Sequence, residues 1–323
     1  MLKIGLVGAG GMGCVHYSNY AHIDDCVVVG IVDSTDAAKS RAEGWGVPIY
    51  DSIAELCKAQ ELDVIDICTP TFMHGKHIAE SLSMKKHTIC EKPICLHLEE
   101  AKQLYALAEQ NGVQLYIAQV LQFTNEIAVL RQLVQSGEYG KVKDAFFERL
   151  SARPQWVQGG WLFDKSKSGL LPFDLHIHDL DVIVSLFGKP LDMSCTFSKT
   201  DQPHADQYRF IYKFAEGLNV CAEAAWFNAD FPFTARWRVY FENAVVVYDG
   251  QSVTAYKFGE PPRVFDTEEK IKIPTGINLP PTGWFFNELT HLTGCIRRGE
   301  PSQLVPKEQI LAVLETLEKI PTE

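Results

Sequence analysis

The sequence contains no hydrophobic run long enough to cross a membrane as a helix. Its longest apolar runs, such as residues 27–32, fall far short of the roughly 20 residues that such a helix needs. The chain also opens without a basic region followed by an apolar block and a small-residue cleavage site, which predicts a cytoplasmic rather than a secreted protein. We therefore expect no membrane partner.

Positive charge is scarce as well, because 30 lysine and arginine residues face 41 aspartate and glutamate residues and the formal net charge is −11. A surface for nucleic acid or anionic lipid would need clustered basic side chains. The nine cysteines include no Cys-x-x-Cys motif, which argues against a disulfide framework or a zinc site. We expect small molecules as partners, no nucleic acid and no metal.

The composition that is present is that of a globular protein, 46% hydrophobic and 22% charged over 323 residues, a length that suits two domains. Apolar runs that alternate with helical segments predict an α/β domain with a doubly wound parallel sheet over residues 1–120. Many strand patterns with few helices predict an α+β domain with a large, mostly antiparallel open sheet over residues 121–323. These strand patterns lie near residues 142–152, 191–200, 206–214, 217–227, 235–249 and 252–258.

A glycine-rich turn directly follows the first apolar run, residues 3–7. In the pattern G-x-G-x-x-G, Gly8 permits a tight turn, Gly10 lets the backbone approach a pyrophosphate, and Gly13 lets helix and strand pack closely. This pattern predicts a dinucleotide site in a Rossmann domain. The turn as a whole consists of Gly8, Ala9, Gly10, Gly11, Met12 and Gly13.

Asp33 ends the second apolar run, 20 residues after Gly13, where such a fold places the ligand of the adenosine ribose. A carboxylate accepts hydrogen bonds from the ribose hydroxyls and repels a 2′-phosphate, so we expect NAD rather than NADP. Lys39 and Arg41 slightly weaken that preference. The alternative for Asp33 is a helix cap on the following turn.

Two further motifs end the fourth and fifth apolar runs, Thr69-Pro70 and Glu91-Lys92-Pro93. The carboxyl ends of parallel strands meet at the edge where open α/β sheets bind ligands, so both motifs face the same crevice. Proline stops the strand and restricts the residue before it, which aims Lys92 into that crevice. His74 lies near the expected nicotinamide end, with a structural hydrogen bond as the alternative role.

A helical segment over residues 173–186 carries a second group of polar side chains. Asp174 and His178 are four residues apart, and Asp181 follows three residues later, so they share a helix face. A carboxylate beside an imidazole forms a pair that can move a proton. The alternatives are a histidine held by an acid for structural reasons and a metal site that includes His176 and His178.

Together these motifs resemble the glucose–fructose oxidoreductase/inositol dehydrogenase (Gfo/Idh/MocA) family over nearly the whole chain. The residues that carry the resemblance are Gly8-x-Gly10-x-x-Gly13 with Asp33, Thr69-Pro70-x-x-x-His74, Glu91-Lys92-Pro93, Ser136-Gly137-Glu138-x-Gly140 and Asp174-x-x-x-His178-x-x-Asp181. The resemblance implies hydride transfer between NAD(P) and a secondary alcohol of a sugar, cyclitol or related polyol. It also implies a homodimer or homotetramer that assembles through the open C-terminal sheet.

The resemblance further implies roles for single residues. Lys92 contacts the nicotinamide side and the substrate hydroxyl, His178 acts as acid and base, and Asp174 binds substrate or orients the pair. Whether Lys92 or His178 takes the proton stays open. The expected cofactor-binding residues are Gly8, Gly10, Gly11, Met12, Gly13, Asp33, Thr69, Pro70, His74, Glu91 and Lys92.

The sequence departs from the family pattern at positions that would shape the substrate pocket. Gln122 stands where the family often has arginine, and His176 replaces a residue that is often small or apolar. We treat both as candidate substrate contacts, together with Trp161, whose ring could stack on a sugar. The motifs also fit a redox-neutral sugar enzyme that uses bound NAD for oxidation and elimination, and a non-catalytic dinucleotide-binding regulator.

Overall fold

The computed structural model describes residues 1–155, 157–277 and 279–321, and the chain divides into two compact units. The first unit comprises residues 1–123 and 269–310, and the second comprises residues 124–268 and those from 311 onward. This division differs from the predicted domains of residues 1–120 and 121–323, because a late segment of the chain belongs to the first unit.

The first unit contains a six-stranded parallel sheet. Its strands are β1 (Leu2–Val7), β2 (Cys26–Val32), β3 (Ile49–Tyr50), β4 (Val64–Ile67), β5 (His87–Glu91) and β6 (Leu115–Ala118). The helices between them are α1 (Gly11–Tyr20), α2 (Asp36–Glu43), α3 (Ile53–Ala59), α4 (His74–Ser83) and α5 (Leu98–Asn111). The order β3-β2-β1-β4-β5-β6, with all neighbours parallel, confirms the doubly wound sheet. The order reverses between β1 and β4, where ligands bind at the carboxyl ends of the strands.

The second unit contains an eight-stranded sheet. Its strands are β7 (Val142–Ala152), β8 (Asp192–Ser198), β9 (Gln207–Lys213), β10 (Asn219–Phe227), β11 (Thr234–Phe241), β12 (Val245–Tyr248), β13 (Val253–Tyr256) and β14 (Arg263–Phe265). The order is β14-β13-β12-β11-β7-β10-β9-β8, and among the described strands β7 and β10 form the one parallel pair. The predicted α+β architecture with a mostly antiparallel sheet is confirmed. The single strand predicted over residues 235–249 is instead the hairpin of β11 and β12.

Within residues 124–268 the second unit contains the helices α6 (Asn125–Ser136), α7 (Lys165–Ser168) and α8 (Ile177–Phe187). A π-helical turn, Pro172–His176, directly precedes α8. The single helix predicted over residues 173–186 therefore begins with a wider turn. Because side chains project differently from a π turn, Asp174 and His178 do not follow the spacing of one regular α-helix.

Two helices complete the chain, α9 (Trp284–Arg298) and α10 (Lys307–Leu317). The apolar face of α9, with Leu289 and Leu292, packs in one buried cluster with Ile4 of β1, Val64 of β4 and Ile89 of β5. Each such side chain contributes about 1.5–3 kcal/mol on burial, which explains why this late helix belongs to the first unit. No helix in the described part of the chain is long and apolar enough to cross a membrane.

Candidate active site

The glycine turn between β1 and α1 leaves room for a ligand. Gly8 has a φ of +97°, and a Cβ there would lie 2.9 Å from the backbone of Cys68. A Cβ on Gly13 would lie 2.0 Å from the carbonyl oxygen of Gly8, whereas a Cβ on Gly10 would meet no atom within 4 Å. The turn is thus packed on its inner side and open at Gly10, whereas a Cβ on Gly11, which with Met12 forms the first turn of α1, would lie 3.3 Å from the Ile277 side chain. This shape fits a pyrophosphate at the positive end of a helix.

Asp33 is fixed at the end of β2 by three hydrogen bonds. One carboxylate oxygen accepts from the backbone N–H of Ala9 in the glycine turn at 2.8 Å. The other oxygen accepts from both the N–H and the hydroxyl of Thr35 at 2.8 Å. Thr35, not Asp33, is the N-cap of α2. The carboxylate therefore links the end of β2 to the glycine turn, next to the expected ribose position.

The two basic residues near Asp33 differ in placement. The guanidinium group of Arg41 donates to the carbonyl oxygen of Ala9 at 2.8 Å, which brings a positive charge to the glycine turn. Lys39 instead donates to Asp51 at 2.6 Å. Of these two cations, Arg41 is the one that contacts the glycine turn directly.

The Thr69-Pro70 and Glu91-Lys92-Pro93 segments lie at the carboxyl ends of neighbouring strands, β4 and β5. The peptide bond between Lys92 and Pro93 is cis. Within the first unit, the structure brings these two segments to the same sheet edge as the glycine turn, because β1 pairs with β4. The sequence motifs therefore converge as the parallel topology predicts.

His74, at the start of α4, connects these two segments. Its Nδ1 atom lies 2.7 Å from the carbonyl oxygen of Pro93, and its Nε2 atom lies 2.8 Å from the carbonyl oxygen of Thr69. Burial lowers the pKa of His74, so the neutral ring donates to one of the two carbonyl groups at a time. This geometry fits the structural alternative for His74, since both ring nitrogens face the backbone.

A buried polar cluster lies behind Glu91. The Nδ1 atom of His16 is 2.7 Å from Asp66 of β4, and its Nε2 atom is 3.1 Å from Glu91. The hydroxyl of Tyr20 donates to Asp66 at 2.8 Å. Burial lowers the pKa of His16, but the Asp66 carboxylate outweighs that effect and the pKa lies well above 6.5. His16 is therefore an imidazolium at neutral pH.

The motifs named from the sequence do not include His16 and Asp66. An acid inside an apolar strand such as β4 is itself a signal, because a charge buried in a core requires a partner. In the described part of the chain, one group of possible metal ligands has its ligand atoms within 4.8 Å of one another, and it consists of His16, Asp66 and Cys68. His176 and His178 do not belong to such a group. Burial raises the pKa of the Cys68 thiol, and Asp66 already binds His16 and Tyr20, which argues against a metal there.

In the second unit, Asp174 lies in the π turn and His178 in the first turn of α8, and both are half-buried. π turns occur frequently at functional sites. Trp161 is half-buried in a short 3₁₀ segment of this unit. Gln122 belongs to the first unit, where it is buried in a 3₁₀ turn after β6.

His176 does not have the predicted role of a substrate contact. Its ring is fully buried, stacks on Phe210 of β9 with 4.0 Å between ring centroids, and lies 2.7 Å from the hydroxyl of Tyr212. Burial lowers its pKa to about 3, so the ring is neutral. His176, the last residue of the π turn, is thus a packing residue that fixes this turn on the sheet.

Comparison with protein-family models gives two matches. A model described as an oxidoreductase family with an NAD-binding Rossmann fold matches residues 2–119. A model described as the GFO/IDH/MocA C-terminal domain matches residues 127–247. Together the two matches cover most of the chain.

The individual proteins that match this chain have low sequence identity to it. A glucose-6-phosphate 3-dehydrogenase of Bacillus subtilis is 30% identical over 192 residues, which is 58% of this chain and 54% of the relative. A 2,7-anhydro-N-acetylneuraminate hydratase of Escherichia coli is 24% identical over 189 residues, or 58% of this chain and 50% of the relative. The chain thus spans about half the length of the curated relatives that it matches. A levoglucosan dehydrogenase solved with NADH and levoglucosan has a TM-score of 0.84 at 19% identity, with 98% and 95% of the two chains covered, which shows a shared fold.

Proposed function

Because the chain belongs to the Gfo/Idh/MocA oxidoreductase family, we propose that it transfers a hydride between NAD and a secondary alcohol of a sugar, cyclitol or related polyol. The observation that carries the proposal is the position of Lys92 at the carboxyl end of β5, on the sheet edge of the open glycine turn. A bound NAD would supply the hydride acceptor or donor. The residues proposed to hold it are the glycine turn, Asp33, and the segments at Thr69 and Glu91.

The catalytic residues of this proposal are Lys92, Asp174 and His178. The Lys92 ammonium group binds the substrate hydroxyl oxygen and stabilises the negative charge that develops on it. His178 removes the hydroxyl proton during oxidation and returns it during reduction, and Asp174 orients the imidazole or the substrate. Glucose-6-phosphate 3-dehydrogenase among the relatives supports a sugar hydroxyl as the reacting group.

The test is a screen for NADH absorbance over inositols, aldoses, glycosides and sugar acids. With the best substrate, Lys92→Met and His178→Asn should each lower kcat by roughly 100-fold or more and leave the Kd of NAD nearly unchanged. The matched controls are Lys58→Met and His22→Asn, at exposed positions, which should retain wild-type turnover. Wild-type turnover by Lys92→Met would refute the role of Lys92.

A second candidate function is redox-neutral turnover, in which transient oxidation of a sugar carbon allows elimination and the hydride then returns. The relative that is named a hydratase supports this second candidate function. Product analysis by mass spectrometry in the same screen separates the two, because redox-neutral turnover changes the substrate without net NADH. NAD binding with no product of either kind would favour the non-catalytic regulator.

We also propose that the protein forms a homodimer or homotetramer through the open sheet of the second unit. The strand registers place Ile211, Tyr240 and Tyr256 on the same face of this sheet, and these side chains are 44%, 48% and 51% exposed. Exposed apolar and aromatic side chains on one face are typical of protein interfaces. Light scattering after size exclusion should show a dimer or tetramer, and Ile211→Asp should shift it toward the monomer.

A further inference from the structure

The buried imidazole of His16 is linked to Lys92 through one side chain. The Nε2 atom of His16 lies 3.1 Å from one carboxylate oxygen of Glu91, and the other oxygen accepts from the backbone N–H of Lys92 at 3.2 Å. His16 is 0% exposed and Glu91 is 8% exposed, so water has little access to either group. The backbone N–H of Lys92 thus donates to a carboxylate that His16 contacts from the protein core.

The protonation of His16 follows from its two partners. Both ring nitrogens face carboxylate oxygens, those of Asp66 and Glu91, and carboxylates only accept hydrogen bonds. Both nitrogens must therefore donate, which requires the imidazolium form. The same positive charge acts on Glu91: burial raises the pKa of this carboxyl, but the hydrogen bond and charge of His16 lower it below its ordinary value. Glu91 thus stays ionised in a place where a lone buried acid would take up a proton.

Further titratable groups lie around His16 on the elements that pack against it. Tyr20 lies on the same helix and donates to Asp66, Cys68 follows β4, and Glu288 faces the cluster from α9. The Glu288 carboxyl is fully buried. Burial, followed by the charges of Glu91 and Asp66, raises its pKa well above 4.5, which favours the neutral form of Glu288. The cluster then holds one cation, His16, between two carboxylates.

We propose that His16 is a positioning residue for Lys92, which it holds in place by fixing the ionised carboxylate of Glu91. The proposal rests on the role of Lys92 in the proposed function. His16 contacts neither substrate nor cofactor in this proposal. A shift of the Lys92 side chain by about 1 Å is enough to lower turnover by roughly 100-fold, so a residue in this position can govern the rate from the core.

The experiment compares the wild type with His16→Gln, in which glutamine keeps one donor but loses the positive charge. We expect kcat to fall by roughly 10- to 100-fold with little change in the Kd of NAD. Glu91 would lose the cation that keeps it ionised. In a plot of kcat against pH, the variant should therefore show an additional fall at acidic pH, where Glu91 takes up a proton. The matched control is His291→Gln, because His291 lies in the same unit but bonds Ser302; it should keep the wild-type kcat and pH profile.

A second readout does not depend on turnover. Lysine labelled at its side-chain carbon and nitrogen gives an NMR signal for Lys92, identified by its loss in Lys92→Met. This signal should move in His16→Gln and stay in place in His291→Gln. If no polyol is turned over by the wild type, the proposed function fails while this signal still decides the role of His16.

If His16→Gln does not fold, Glu91→Gln breaks the same link from the other end and should move the Lys92 signal and lower kcat to a similar extent. Two results would overturn the proposal. One is a folded His16→Gln protein with a wild-type kcat and an unmoved Lys92 signal. The other is an equal loss of kcat at every pH with the Lys92 signal unmoved, which would mean that His16 only stabilises the fold.

Discussion

The Nδ1 atom of His74 lies 2.7 Å from the carbonyl oxygen of Pro93, while the opposite ring nitrogen lies 2.8 Å from the carbonyl oxygen of Thr69. One buried ring therefore connects the segments that follow β4 and β5. Lys92 lies between Pro93, which faces His74, and Glu91, which faces His16. The segments at this sheet edge are thus fixed by His74 and His16, whose side chains are buried in the core.

Replacing His74 by leucine should destabilise the protein and loosen the cofactor site. The carbonyl groups of Pro93 and Thr69 would lose the ring that donates to them, and an unsatisfied buried group costs about 1–3 kcal/mol. We expect a lower free energy of unfolding in urea and a higher Kd for NAD, measured by calorimetry. His74→Gln, which keeps a donor, should recover part of both losses. A leucine variant with wild-type stability would show that these two contacts contribute little.

The ion pair of Arg149 and Asp179 in the second unit should be essential for stability. The guanidinium group of Arg149 donates two hydrogen bonds to Asp179, at 3.0 and 2.8 Å, and both side chains are buried. Asp179→Asn would leave a buried cation without its counter-charge, which costs about 3–5 kcal/mol in unfolding free energy. Urea denaturation measures this loss. The exposed pair of Lys213 and Asp192 is the control, since Asp192→Asn should cause no measurable change.

The sequence predicts those features of the molecule that depend on local pattern. The glycine turn, Asp33 and the Glu91-Lys92-Pro93 segment fall at ends of predicted strands, and parallel topology brings such ends to one edge. Two sheets of different type follow from the alternation of elements. These inferences need no knowledge of which distant residues touch.

The features that the sequence does not predict depend on long-range packing. His16 and Asp66 are 50 residues apart and meet because α1 packs against the parallel sheet. The helix α9 follows the second unit along the chain, but its apolar face packs in the core of the first unit. From the sequence His176 is a candidate substrate contact because it lies between Asp174 and His178, but a π turn directs it onto Phe210. Spacing alone cannot distinguish that turn from a regular helix.

The buried carboxyl of Glu288 should make stability depend on pH. Its pKa in the folded protein lies well above the ordinary 4.5, because of burial and then the charges of Glu91 and Asp66. Above pH 4.5 the unfolded chain releases this proton and the folded protein keeps it, so the contribution of Glu288 to stability falls as pH rises toward the folded pKa. Glu288→Gln removes this dependence. The variant should match the wild type near pH 4.5 and gain relative stability toward alkaline pH.

Chemical denaturation of both proteins across the pH range measures this difference. The wild type retains a second dependence of the same sign from His16, whose raised pKa contributes stability that is lost as pH rises through its folded value. The glutamine variant keeps His16, so the difference between the two curves reports the removal of Glu288 together with its effect on His16. Glu43→Gln, at an exposed position of α2, should follow the wild-type curve. Parallel curves for the wild type and Glu288→Gln would mean that Glu288 is ionised in the folded protein.

Asp33 and Arg41 should act in opposite directions on the choice of cofactor. Asp33 bonds Ala9 and Thr35 beside the expected ribose position, and a carboxylate there accepts from the ribose hydroxyls of NAD and repels the 2′-phosphate of NADP. Asp33→Ser should weaken NAD binding by about 10- to 100-fold, as expected for the loss of a hydrogen bond to a charged group. The same variant should bind NADP more tightly than the wild type does.

Arg41 is the cation at the same turn, so Arg41→Gln should weaken any binding of NADP and leave the Kd of NAD nearly unchanged. In the double variant with Asp33→Ser, it should reduce the gain in NADP affinity, because the cation that contacts the glycine turn would be lost. Lys39→Gln is the control, since Lys39 bonds Asp51 and not the glycine turn. Calorimetric Kd values of NAD and NADP for the wild type and each variant test these predictions. Tighter binding of NADP than of NAD by the wild type would show that Arg41 outweighs Asp33 at this turn.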